Sequence, residues 1–307
     1  MSQIKIQLIK EGITYPNILS CSFFTMENSY RNFNKYKEQL KRFLKQAEVL
    51  KDYELRIYTD NTGKEYALEI CESYSFVSIY LFDCPSFREG IGHQGTFGTL
   101  VRFLPLFEEH KLVWISDIDI PDNYLDIDLK GDIIINSALC YERKVYGRKY
   151  TILAGRFISK KKLPKRLLTK FINDILEGKY LNEINELNKQ NTRKPSSNFP
   201  YGMDELFLNW IIYDWLQKQE FKINIHIDML ITNILIKNID IPLESKKILE
   251  DYYWKPEKKQ ITKIKKIYLE YIPKILKKFP CLQVALDSIH TLKNSLIQSF
   301  FIKSSDL

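Results

Sequence analysis

The chain has 307 residues, 45% of them hydrophobic, with 46 Lys and Arg against 38 Asp and Glu and a formal net charge of +8. That length and apolar content bury a substantial core, which excludes a disordered chain or a small scaffold dependent on cross-links, and one main domain with an extension is expected. Cys21, Cys71, Cys84, Cys140 and Cys281 are odd in number and scattered, without a Cys-X-X-Cys pair or a zinc spacing, and so suit a reducing compartment.

The first ten residues, Met1 to Lys10, are interrupted by charges before a signal-peptide core forms, and no run of about 20 apolar residues follows, so a soluble, cytoplasmic protein is expected. Asn17 to Phe24 reads as a short strand, and Tyr36 to Leu50 carries apolar residues at helical spacing. Tyr53 to Asp60 alternates as a half-buried strand, Asn61-Thr62-Gly63 breaks it, and Glu65 to Ser73 is a short helix. A third strand spans Phe76 to Phe82. After a glycine-punctuated loop, Gly90 to Gly98, the pattern predicts a helix over Thr99 to His110 that carries Arg102. Strands alternating with helices predict an α/β fold: a mainly parallel sheet flanked by helices, with ligands at the carboxyl ends of the strands.

The run Leu112-Val113-Trp114-Ile115-Ser116 then leads into Asp117-Ile118-Asp119. Side chains alternate along a strand, so both carboxylates would face one side at its carboxyl end, a place to hold a hard divalent cation and leave positions for substrate phosphates. Further on, Ile152-Leu153-Ala154-Gly155-Arg156-Phe157 is a strand of small residues. Tyr201-Gly202-Met203-Asp204-Glu205-Leu206-Phe207-Leu208-Asn209 is an acidic helix start. Asn191 to Pro200, before it, reads as an extended loop, and Leu163 to Asn188 as one helical stretch.

In this order the motifs resemble metal-dependent glycosyltransferases of the GT-A fold, the nucleotide-diphospho-sugar transferases. The resemblance covers about residues 15 to 228 and rests on the order of short motifs. It implies a GT-A-like catalytic domain over residues 1–228; the residues beyond, 229–307, resemble nothing in the family and are expected to form a helical, lysine-rich extension. The resemblance implies Mn²⁺ or Mg²⁺ on Asp119, with Asp117 on the metal or the ribose, Arg102 and Gly155 facing the donor sugar, and Ser22, Phe23 and Asp60 at the nucleotide. Asp204 or Glu205 would be the general base or the acceptor-positioning carboxylate, although acids are favoured in any first helical turn. A further ligand late in the domain would be His226, in the strand-like Ile223-Asn224-Ile225-His226-Ile227; the glycine and lysine-tryptophan context of the family is missing there, and a structural histidine is the competing reading. The implied partners are a nucleotide-sugar donor, UDP-linked by family habit, and a glycan, protein or small-molecule acceptor.

Other readings stay open. A haloacid-dehalogenase-like phosphatase also uses an Asp-X-Asp after an apolar strand, but normally in its first strand. A degenerate, inactive scaffold would bind a sugar nucleotide or a partner without turnover. Tyr201 and Trp210 are candidate sugar-stacking surfaces. Residues 255–307 hold 11 Lys against four acidic residues, nearly the whole excess charge. Lys258 to Lys278 places Ile261, Ile264, Tyr268, Ile272 and Ile275 at helical spacings, an amphipathic basic helix bent near Pro273. Its apolar side is expected to pack on the domain, with contact to an anionic membrane surface as the alternative, and no nucleic-acid motif accompanies it.

Overall fold

The structure is a computed structural model and describes residues 4–25, 33–119, 129, 131–138, 151–190, 197–226, 235–236, 239–254, 261–278 and 299–303. Cys140, Cys281, the loop over 191–196, the residues from Ile120 to Asp122 and the stretch 255–260 ahead of the basic helix lie outside them.

Strands β1 (Lys5–Lys10), β2 (Asn17–Ser22), β3 (Tyr53–Thr59), β4 (Val77–Asp83), β7 (Leu112–Ser116), β8 (Ile133–Ala138), β9 (Thr151–Ser159), β10 (Lys222–His226) and β11 (Ser299–Lys303) form one sheet in the order β1-β4-β3-β2-β7-β9-β8-β10-β11. A small hairpin, β5 (Arg88–Glu89) and β6 (Gly92–His93), stands apart from it. Pairing is parallel across β4-β3-β2-β7 and again between β8 and β10. It is antiparallel where β1, β9 and β11 join. The expected parallel β–α succession therefore holds in the first half, and the sheet as a whole is mixed.

Period-two alternation gives the sheet two apolar faces. Ile18, Val113, Ile115, Ile133 and Ile135 belong to one core cluster, and Leu19, Leu112, Trp114, Ile134 and Ile158 to the other. Central strands buried on both faces read as unbroken apolar runs, as β7 does. Helix α1 (Phe33–Ala47) lays Leu40, Phe43, Leu44 and Ala47 on the second cluster, and α2 (Lys64–Cys71) adds Ala67 and Cys71. The first cluster takes α3 (Phe97–Val101), α4 (Arg166–Leu176), α5 (Leu181–Gln190) and α6 (Met203–Phe207). A π-helical turn, Leu208–Ile212, joins α6 to α7 (Tyr213–Leu216). Two later helices, α8 (Leu243–Trp254) and α9 (Ile261–Lys278), contribute Leu249, Ile267, Tyr268, Tyr271 and Ile275 to that same cluster, so the C-terminal extension shares the main core. It also supplies a strand, β11, in addition to its helices.

Three expected elements differ. The helix over Thr99 to His110 stops at Val101 and continues as a tighter turn, Leu104–Phe107, because Pro105 lacks the N–H a longer helix needs there and its ring crowds the preceding turn. The stretch Leu163 to Asn188 is two helices, divided at Gly178, whose φ of +75° suits glycine. Strand β7 ends at Ser116, so Asp117 and Asp119 stand in the bend beyond it. Cys21, Cys71 and Cys84 are buried, and burial pushes the Cys71 thiol up to about 12.

Candidate functional site

After β2 the chain builds outward to β3 and β4, then returns to place β7 on the other side of β2. Such a reversal opens a crevice at the carboxyl ends of the two strands, where open α/β sheets bind ligands. Ser22 ends β2 there and Ser116 ends β7.

Helix α3 is fastened over this edge by two buried serines of β2. The Ser22 hydroxyl donates to the Gly98 carbonyl at 2.6 Å, and Ser20 donates to the Arg102 carbonyl at 2.7 Å. The segment before α6 is fastened to the start of α3 in turn. Thr96 N–H donates to the Phe199 carbonyl at 2.8 Å, and its hydroxyl to the Pro200 carbonyl at 3.0 Å. These ties bring three distant stretches together around Arg102.

The Arg102 side chain is buried. Its Nη1 donates to the Ser116 carbonyl at 3.3 Å and to the Asp117 carboxylate, and its Nη2 donates to Asp204 Oδ2 at 2.7 Å. Burial opposes the guanidinium charge, but Asp117, Asp204 and the nearby Glu205 outweigh it and hold the Arg102 pKa above its ordinary value. The helix expectation for Arg102 is thus replaced by a position capping α3, and its partners are carboxylates of the site itself.

Asp117 rests over Gly155. Its N–H donates to the Gly155 carbonyl at 3.3 Å, and a Cβ built on Gly155 would collide with its carboxylate. On the other side of β9 the register with β8 jumps from Ile135↔Phe157 to Asn136↔Leu153, which leaves Ala154, Gly155 and Arg156 bulged. The small residues that stood out in the sequence serve this close approach. The Asp117 side chain is 44% exposed, so its carboxylate faces both Arg102 and solvent. Ile118 is buried and Asp119 is half-buried.

Asp204 opens α6 after Gly202, whose φ of +99° requires glycine, and its Oδ1 accepts the Glu205 N–H at 3.1 Å. Asp204 is buried and Glu205 half-buried. One turn on, the buried Asn209 brackets β9. Its Oδ1 accepts the Ile152 N–H at 2.9 Å, and its Nδ2 donates to the Ile152 carbonyl at 2.9 Å and the Glu205 carbonyl at 2.8 Å. π-Helical turns are frequent beside functional sites, and this one aims Asn209 at the bulged strand.

The other expected nucleotide contacts turn inward. Phe23 is buried among the rings of Phe33, Tyr36 and Tyr66. The Asp60 carboxylate accepts the Thr62 N–H at 3.0 Å and meets His93 Nδ1 at 3.1 Å, while His93 Nε2 accepts the Cys84 N–H at 2.9 Å. That acceptor role puts the ring proton on Nδ1, donating to Asp60. His93 was not singled out by the sequence. It sits in a glycine-rich loop 33 residues from its partner, and nothing local marks it. Trp210 packs on the core, edge-on to Tyr180, and Tyr201 is half-buried. His226 ends β10 opposite Asn136 of β8, three strands across the sheet from β7, with its side chain outside the described residues.

Among the described residues no group of three or more His, Cys, Asp or Glu side chains stands in metal-binding array. What stands there is a guanidinium acted on by three carboxylates, those of Asp117, Asp204 and Glu205, with Asp119 two residues beyond Asp117. Magnesium-type ions are commonly held by one or two carboxylates together with substrate phosphates, and Asp117 and Asp119 fit that donor set. No family model matches this chain, and neither does a curated protein or a solved structure.

Proposed function

We propose that the chain is a divalent-metal-dependent glycosyltransferase whose donor is a nucleoside diphosphate sugar, UDP-linked on the family resemblance. The observation that carries this reading is the placement of Asp117-Ile118-Asp119 at the carboxyl-end crevice between β2 and β7, fixed there by Arg102 and Gly155. Asp117 and Asp119 would hold Mn²⁺ or Mg²⁺, with His226, at the same end of the sheet, the candidate for a further ligand. When bound, the ion supplies Lewis-acid stabilisation of the departing diphosphate.

The roles of the other side chains follow from their partners. Arg102 positions two carboxylates and lends its charge to the edge where a leaving phosphate would develop negative charge. Asp204 already accepts hydrogen bonds from Arg102 and the Glu205 N–H, so its work is positioning. Glu205, the more exposed of the pair, is then the better candidate to take a proton from an acceptor hydroxyl. Ser22 and Asp60 shape the nucleotide end from inside. A phosphatase using Asp117 as nucleophile has less support, since that carboxylate is engaged by a buried guanidinium and follows three earlier strands of the parallel set.

The test is thermal stabilisation by a panel of nucleotide sugars, with and without Mn²⁺, because a ligand that binds only the folded state raises the melting temperature. We expect stabilisation by one nucleotide class that requires the metal. Asp119→Ala should abolish it and leave the melting temperature of the ligand-free protein nearly unchanged. Full donor affinity in that variant would overturn the metal assignment, and no response to any donor would overturn the glycosyltransferase reading.

A further inference from the structure

The charge excess of this chain sits almost wholly in residues 255–307, and the described part of that segment is dominated by α9. An amphipathic basic helix usually binds membranes by laying its apolar side into the headgroup region. Here that side is taken. Ile267, Tyr268, Tyr271 and Ile275 are buried in the core with Leu249. Flanking that side are Lys263, Lys266, Lys274 and Lys277, all exposed. At offsets of 3, 11 and 14 residues from the first, they fall in one row about 21 Å long, interrupted by the single acid Glu270. Leu269, 60% exposed, stands beside the row.

We propose that this lysine row is a docking face for an anionic lipid bilayer, held by charge and without helix insertion. Three features favour a bilayer over other anions. Tyr268 and Tyr271 are buried, and Lys274 covers the Tyr271 ring at 4.9 Å, so neither ring is open for bases to stack on. The cations of the face are lysines, compact hydrated charges without the planar fork that reads phosphodiesters or carboxylates in pairs. Leu269 is the one large apolar side chain seen exposed along the described part of α9, and it is placed to dip among headgroups. A row of charge along a helix anchored in the core presents itself to a plane. This inference is independent of the proposed enzymatic reading.

The experiment is co-sedimentation of the full chain with phosphatidylcholine vesicles, with and without phosphatidylserine, at low and high salt. Binding should require phosphatidylserine and disappear as salt rises. The variant Lys263→Glu, Lys266→Glu, Lys274→Glu, Lys277→Glu should lose binding while keeping the wild-type melting temperature. Should four reversals prevent folding, Lys266→Gln with Lys277→Gln should weaken partitioning about fivefold per lysine. Absence of binding to phosphatidylserine vesicles, binding unaffected by these substitutions, or capture of single-stranded RNA in preference to vesicles would each overturn the proposal.

Discussion

Arg102 concentrates the site's physics in one side chain. A buried guanidinium between two carboxylates contributes little net stability as a set, since desolvation offsets attraction, but removing one member leaves the rest uncompensated. Arg102→Met should therefore destabilise the fold by about 3–5 kcal/mol, read as a lower urea midpoint at unchanged slope. Most of the loss belongs to the buried Asp204, because the half-exposed Asp117 recovers hydration. A loss of under about 1 kcal/mol would mean that the carboxylates relax into water and that the triad is not a structural unit. Each of the three residues drew notice in the sequence for its type and local pattern. Their association did not, because Arg102 and Asp204 lie 102 residues apart and nothing local encodes such a pairing.

Elements were legible where burial imposes a period. Strands β2, β3 and β4 and helices α1 and α2 follow alternation or helical spacing, and their apolar positions are those that meet the two core clusters. Irregular pieces escaped that logic, since a period carries no information about where it is broken. The β9 bulge was visible only as Ala154-Gly155, and the π-turn not at all, because its signal is the third-dimensional demand of Asn209 on Ile152. That demand makes a test. Asn209→Ala leaves the buried Ile152 N–H and carbonyl without their side-chain partners and should cost about 2–4 kcal/mol. It should also lower any transferase activity more than Arg166→Lys on the surface of α4, because α6 loses its tie to the strand beneath Asp117. Wild-type stability in Asn209→Ala would show that the π-turn is held by packing alone.

The molecule as a whole is a strongly basic sheet protein in which the buried carboxylates of Glu54, Asp174 and Asp204 are paired with cations. Burial opposes ionisation of Asp174, but Lys170 and Lys179 outweigh it and hold its pKa below the ordinary carboxylate range. Arg88 does the same for Asp83, and Lys222 and Lys161 overcome burial at Asp132. A carboxylate whose folded pKa is depressed contributes stability that is complete above its unfolded value, near pH 4, and is lost as pH falls through the folded value. Net charge, already +8 at neutral pH, rises over the same interval and adds self-repulsion. Stability should accordingly be level through neutral pH and fall steeply below about pH 4. Asp174 is more deeply buried than Asp83 or Asp132 and holds α4 to the turn before α5 through Lys179, so Asp174→Asn should be less stable than wild type at pH 7 and lose less on acidification. Melting curves between neutral and acid pH decide it: parallel losses in the two proteins would place the acid sensitivity in the other carboxylates and in general repulsion, and convergence of the two curves at low pH would locate it at Asp174.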